Sequence, residues 1–184
     1  MQHFVSGIDL NKIPQDYKSI ILGAGCFWGV ERRVWEDPNI YLTSVGYSGG
    51  HIDNPTYKQV CYEDTGHVEV VKVIFDPQLI SLEEILKIFW ECHDPSQGDR
   101  QGNDRGTQYR SVIFCENEKD LNLANQSQKK YQEVLSKAGF GEITTEIKIF
   151  NTYFLAEYYH QQYLAKNPNG YCGLGGTGCA FPNN

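Results

Sequence analysis

The sequence has no excess of positive charge, no long apolar run and no paired-cysteine motif, and each absence closes off a class of function. Sixteen Lys and Arg stand against 23 Asp and Glu, a formal net charge of −7. No run of Lys or Arg stands out, so neither a nucleic-acid groove nor an anionic membrane surface is expected as the main partner. No stretch is long and apolar enough to span a bilayer. Met1 to Leu10 lacks a basic start and an apolar run, so no secretory signal is read there and a cytoplasmic location is the expectation. Six cysteines (Cys26, Cys61, Cys92, Cys115, Cys172 and Cys179) in such a compartment do not read as a disulfide framework. They are core residues, metal ligands or redox groups. Neither a Cys-x-x-Cys pair nor a His-x₃-His spacing occurs, so no metal site is expected. No internal repeat or linker divides the 184 residues, which read as a single domain, 1–184.

What is present is a foldable composition. The chain is 40% hydrophobic, enough for a real core, and its 12 Tyr exceed what a core needs, so some phenols belong to a site. Lys18 to Leu22 is a short apolar run that stops at Gly23-Ala24-Gly25, a buried strand ending in glycines. Cys26 to Trp35 has helical periodicity. Ile40 to Val45 and His67 to Phe75 read as strands, with a loop over 46–55. Ser81-Leu82-Glu83-Glu84 has the capping-box pattern and opens a helix reaching about His93. Residues 94–108 form a polar loop of the kind that carries sites. Tyr109 to Cys115 is a strand, Glu118 to Lys137 a long helix closed by Gly139, Thr144 to Phe150 a strand, and Glu157 to Leu164 a helix. Strands and helices alternate, but not in strict βαβ order. The expected class is therefore α+β: a two-layer sandwich with a mixed central sheet and a ferredoxin-like core. That core covers about 18–165, between an irregular lead-in, 1–17, and a flexible C-terminal tail, 166–184.

Cys26 stands where a strand ends and a helix begins. The first N–H groups of a helix lack intrahelical partners and the dipole is positive there, so a thiolate, the nucleophilic form of cysteine, is favoured at that place. Three readings compete: a small residue packed at a tight junction, a dinucleotide loop, and a catalytic nucleophile. Gly29 stands one residue late for the dinucleotide fingerprint, and no acid suited to a ribose follows about 20 residues on. Phe27 and Trp28 would give a nucleophile an apolar wall suited to an uncharged, methyl-bearing substrate.

Gly25-Cys26-Phe27-Trp28-Gly29 resembles the signature of the A-class peptide methionine sulfoxide reductases. So do Gly46-Tyr47-Ser48-Gly49-Gly50; Asn54-Pro55-Thr56-Tyr57 with Gly66-His67-Val68-Glu69; Gln101 through Arg110; His160-Gln161-Gln162-Tyr163-Leu164; and Gly170-Tyr171-Cys172-Gly173. The blocks follow the family's order over roughly residues 20–175.

The resemblance implies reduction of methionine S-sulfoxide, free or peptide-bound, by attack of Cys26, with Glu69 as proton donor. It places Tyr57 and Tyr109 as hydrogen-bond donors to the sulfoxide oxygen, Asp104 as a residue shaping the site, and Phe27 and Trp28 as the methyl slot. Cys172 becomes the resolving thiol and Cys179 the thiol that presents a disulfide to thioredoxin, or to dithiothreitol in its stead. The tail spacing, Cys172-x₆-Cys179, is one residue shorter than the family's. No cofactor or metal is implied, and a monomer is expected. On the residues alone, a carboxyl in the apolar strand 67–75 resists ionisation and suits an acid, but Glu69 on the solvent face fits the alternation equally. Cys61, Cys92 and Cys115 read as buried packing residues. Cys26 with the distant His160 leaves a cysteine hydrolase as the rival.

Overall fold

The computed structural model describes residues 1–150 and 152–182; positions 183–184 of the expected tail lie outside the described residues. Residues 1–17 form no regular element beyond a single bridge between Gln2 and Asp9. Then follow β1 (Lys18–Gly23), α1 (Phe27–Trp35), β2 (Ile40–Ser48), α2 (Tyr57–Tyr62), β3 (Val68–Phe75) and α3 (Leu82–Cys92). A small hairpin, β4 (Arg100–Gln101) with β5 (Asp104–Arg105), leads through a 3₁₀ turn (Thr107–Tyr109) into β6 (Val112–Cys115) and α4 (Glu118–Lys137). The chain closes with β7 (Glu146–Ile149), β8 (Tyr153–Leu155) and α5 (Tyr163–Lys166).

Among the described residues six strands form one mixed sheet in the order β7-β6-β1-β3-β2-β8. Only β6 and β7 run parallel; the other neighbours are antiparallel. Side chains of β3 alternate between two buried faces. Val71, Val73 and Phe75 join the main core with α1, α3 and α4, whereas Val68 and Val70 join a second cluster with Ile21, Val112 and Phe114. Glu69 therefore points to the helix-covered face, since successive strand residues point to opposite faces. Because both faces are buried, the strand carries no polar–apolar alternation to reveal this. α3 and α4 are tied by the Trp90 indole donating to Ser127 at 2.9 Å.

The helix termini follow local rules. Ser81 and Glu84 form a full capping box, and Asn117 caps α4 by accepting from the Asp120 N–H. α4 ends at Gly139, φ +83°, with Phe140 N–H donating to the Leu135 carbonyl in a Schellman closure.

Three expected elements are corrected. The helix over 157–164 is only the four residues of α5, because Gln162 adopts a left-handed φ of +48°. The strand expected from Tyr109 starts at Val112, after the 3₁₀ turn. β2 continues past Val45 to Ser48. α2, β8 and the β4–β5 hairpin were not anticipated. α2 carries a readable signal, the Thr56-x-x-Gln59 capping box, whose reciprocal bonds are both present. The tail from Asn167 to Pro182 forms no helix or strand. It lies along the helices, with Phe181 N–H donating to Glu91 at 2.7 Å and the Phe181 ring stacked on Tyr131.

Gly139→Ala should cost about 1 kcal/mol, because a Cβ is strained at positive φ. Thermal unfolding should register this as a fall in Tm of roughly 2–4 °C. An unchanged Tm would mean that the terminus does not need the left-handed residue.

Candidate active site

The site is assembled where β1 gives way to α1. Gly25 holds φ +90°, and a Cβ there would lie 2.7 Å from the Gln101 side chain, so glycine is required by both conformation and space. Gln101 in turn bonds both backbone groups of Asp94, donating to its carbonyl at 2.9 Å and accepting from its N–H at 3.1 Å. The 94–108 loop is thereby pressed against the start of α1, with Asp104 and Tyr109 following on the same stretch.

Cys26 is the N-cap residue of α1 and is partly exposed. The expectation that the helix start holds it as a thiolate is corrected. Burial pushes the thiol well up, and the Glu69 and Asp104 carboxyls, wherever they are ionised, push the same way. The Trp28 and Gly29 N–H groups do exert the expected downward pull, but it is outweighed. Cys26 therefore rests as a thiol.

Glu69 is 1% exposed. Its Oε2 accepts from the Phe27 N–H at 3.1 Å, which places the carboxyl at the first residue of α1. Burial raises its pKa to about 8; the Phe27 N–H opposes this and Asp104 adds to it. At neutral pH it is mainly protonated. The Glu69 charge also acts on Tyr57 and Tyr109, whose phenols are pushed up first by burial and then by Glu69. Cys26, Glu69, Tyr57, Tyr109 and Asp104 thus lie within electrostatic reach of one centre, Glu69.

The apolar wall is built from α1 and the segment after β8. Phe27 is buried. The Trp28 indole stacks on Tyr163 with centroids 3.9 Å apart and donates through Nε1 to His160 Nδ1 at 3.1 Å. The His160 ring lies 4.4 Å from that of Tyr57 and 5.1 Å from that of Phe27. Burial lowers its pKa to about 4, so it is neutral. Its Nδ1 accepts from Trp28, so that nitrogen is not free to take a proton from Cys26. The cysteine-hydrolase reading, which needs a histidine base on Cys26, falls.

Four participants were not singled out from the sequence. Tyr47 stands opposite Glu69 in the β2–β3 register and donates to Glu157 at 2.8 Å. Glu157 also accepts from the Tyr57 N–H at 2.9 Å, so it anchors the start of α2. The Tyr57 phenol pairs with Cys61, one turn along α2; Cys61 is half-buried beside the site, unlike the buried Cys92 and Cys115. Tyr171 reaches Asp104, 3.4 Å between phenol oxygen and Oδ2. Only the Tyr47–Glu69 pairing could have been guessed from strand order; the rest depend on where loops meet.

The two tail cysteines are placed differently. A Cβ at Gly29 would come within 3.0 Å of Cys172 Sγ, so the missing side chain lets Cys172 pack on the first turn of α1. Cys172 also borders a cleft of about 260 Å³ with Arg32, Arg33 and Leu174. Cys179 sits against α4, where its carbonyl accepts from the Tyr131 phenol at 3.0 Å. All six cysteines are unpaired. Among the described residues no three His, Cys, Asp or Glu side chains group as a metal site, and no helix is long and apolar enough to cross a membrane.

The sequence profile of the family described as "Peptide methionine sulfoxide reductase" matches residues 18–177. The chain belongs to that family. It is 54% identical over 182 residues to the mitochondrial peptide methionine sulfoxide reductase of Homo sapiens, covering 98% of this chain and 77% of that protein. The structure of methionine sulfoxide reductase A of Corynebacterium diphtheriae, 41% identical, superposes with a TM-score of 0.88 over 98% of this chain and 89% of the other. Mxr1 from Saccharomyces cerevisiae in complex with Trx2 matches at 25% identity and a TM-score of 0.58, over 84% and 91% of the two chains. The chain is an A-class member and an oxidoreductase acting on methionine sulfoxide.

The raised Glu69 pKa carries a consequence for stability. A carboxyl whose pKa is higher folded than unfolded stabilises most below its unfolded value, and that contribution is lost as pH rises through the folded value. Stability should therefore fall between about pH 4.5 and pH 8 on account of this group. Glu69→Gln, which keeps an acceptor for Phe27, should raise Tm by several degrees at pH 8 and by less at pH 5. Equal shifts at both pH values would contradict the raised pKa.

Proposed function

We propose that Cys26 reduces methionine S-sulfoxide, free or within a peptide, and that Cys172 and Cys179 restore it. The observation that carries this reading is a partly exposed thiol at a helix start, beside a buried carboxyl with a pKa of about 8. A sulfoxide sulfur is attackable only when its oxygen gains a proton or strong hydrogen bonds. Glu69 supplies the proton, and the Tyr57 and Tyr109 phenols donate to the oxygen. Asp104, which accepts from the Tyr171 phenol at 3.4 Å, shapes the site. Phe27 and Trp28 take the methyl group.

Attack of the Cys26 sulfur on the sulfoxide sulfur forms a transient S–S bond. That bond and the substrate S–O bond then break as the oxygen passes to Cys26, which is oxidised by two electrons to a sulfenic acid while the sulfoxide is reduced by two to methionine, which leaves. The Cys172 thiol attacks that sulfur, water departs, and a Cys26–Cys172 disulfide forms. The packing of Cys172 on Gly29 supports its role as the resolving thiol. Cys179 then attacks Cys172, freeing Cys26, and thioredoxin or dithiothreitol reduces the Cys172–Cys179 disulfide. Its place against Tyr131 requires the glycine-rich tail to move for that step.

The reading includes a ferredoxin-like core, supported by the order β6-β1-β3-β2 with α1 and α3 on one face. It treats residues 1–184 as one monomeric domain working without metal or cofactor. The reading places the protein in the cytoplasm, where exposed thiols are kept reduced.

A thiol count after one equivalent of substrate tests the scheme: two thiols should disappear per methionine formed. Cys26→Ser should abolish reduction, and substantial residual activity would remove it as the nucleophile. Glu69→Gln should slow the single-turnover step by roughly 100-fold or more. In the parent that step should decline as pH rises through about 8, because the donor is then ionised; a rate that holds steady to pH 9.5 would dismiss Glu69 as the acid. Cys172→Ser should leave one turnover and stop thioredoxin-driven cycling.

A further inference from the structure

His160 to Tyr163 divide two tasks among four consecutive residues. His160 and Tyr163 hold the Trp28 indole, one by a hydrogen bond and one by stacking. Gln161 and Gln162 fasten the turn that carries them. Gln161 clamps the edge of β2, accepting from Val45 N–H at 2.9 Å and donating to the Val45 carbonyl at 2.8 Å. Gln162 is held in the left-handed region, φ +48°. A residue with a Cβ stays there only where its surroundings over-determine it.

Glu31 is what over-determines it. It lies on α1 three residues after Trp28, and its side chain is fully buried. One carboxylate oxygen accepts from the Gln162 backbone N–H at 2.8 Å; the other accepts from the Gln162 amide at 2.7 Å and from the Thr43 hydroxyl at 3.0 Å. Among the described residues no basic side chain is hydrogen-bonded to it, although the Lys166 charge acts on it. A buried carboxyl is costly unless its oxygens are satisfied, and three neutral donors satisfy this one. The lead-in braces the same point: Phe4 N–H donates to the Gln162 side-chain oxygen at 3.0 Å, and His3 bonds Thr43 at 3.0 Å. The oxygen-transfer steps leave Glu31 without a task, and shape alone would be filled as well by an apolar side chain.

We infer that Glu31 is a positioning residue for sulfoxide reduction, its carboxylate locking the strained Gln162 turn to α1 so that Trp28 stands fixed as the wall of the methyl slot. The inference rests on the reading of Trp28 given above. It makes the helix that carries the nucleophile and the turn that carries the partners of Trp28 a single rigid unit.

The test compares the parent, Trp28→Ala, Glu31→Gln and the exchange E31Q/Q162E. Each is assayed with free methionine S-sulfoxide and dithiothreitol, and the Trp28 indole N–H resonance is followed by NMR, identified by its loss in Trp28→Ala. Glu31→Gln sets an amide against the Gln162 amide. It should raise KM by about tenfold with a smaller change in kcat, and should move the indole resonance. The exchange puts the amide on α1 and the carboxylate on the turn, restores complementary donors and acceptors, and should return both readouts toward the parent. A folded Glu31→Gln with parental KM and an unmoved resonance overturns the inference. So does an impaired Glu31→Gln that the exchange fails to rescue, since that describes a merely structural residue. Should Glu31→Gln not fold, Gln162→Ala, which keeps the backbone bond, is read in its place, and a parental KM with an unmoved resonance again overturns it. An unchanged KM in Trp28→Ala is a separate failure, that of the methyl-slot reading itself.

Discussion

The site depends on one unfavourable burial, that of the Glu69 carboxyl in the helix-covered face of the central strand. Removed from water and given one backbone N–H as its visible partner, it keeps its proton to about pH 8. The thiol of Cys26 and the phenols of Tyr57 and Tyr109 are raised first by their own burial and then by Glu69. Cys26, Glu69, Tyr57 and Tyr109 are thus all held toward their protonated, neutral forms. The helix start lends its N–H groups to Cys26, but they do not ionise it unaided. A sulfoxide that accepts the Glu69 proton would remove no charge from the pocket, yet would hand the thiol a base in the carboxylate left behind.

Around that centre, absence of side chains matters as much as their presence. Gly25 admits Gln101 and so brings in the loop bearing Asp104 and Tyr109. Gly29 admits Cys172 onto the turn next to Cys26. Both glycines flank Cys26; a Cβ at Gly25 would clash with Gln101, and one at Gly29 would crowd Cys172 and Leu174. The apolar wall follows a complementary rule: Trp28 is held by aromatic and hydrogen-bonding partners brought by a turn that cannot be a helix.

Local chemistry was legible from the residues. The capping box at Ser81, the Gly139 stop and the strand–Gly-Ala-Gly–Cys–helix junction each obey rules that operate within a few residues, and each is found. The failures cluster where side chains are spoken for elsewhere. Residues 157–164 have helical periodicity, but Gln161 and Gln162 bond β2 and Glu31, and these distant bonds defeat the helix. Tyr109 reads as strand, yet the 3₁₀ turn gives it its place beside Glu69.

The sequence by itself determined the chemical inventory: a cysteine at a helix start, an acid in an apolar strand, phenols, flanking aromatics and a glycine-rich tail with two thiols. It did so because those patterns are short-range and each residue type carries its own chemistry. Only the tertiary structure decided which face Glu69 takes, since a strand buried on both sides offers no alternation to read. It also decided that Cys26 rests as a thiol and that Cys172, not Cys179, packs beside it. Burial and proximity are properties of segments brought together from far apart along the chain, and no local pattern encodes them.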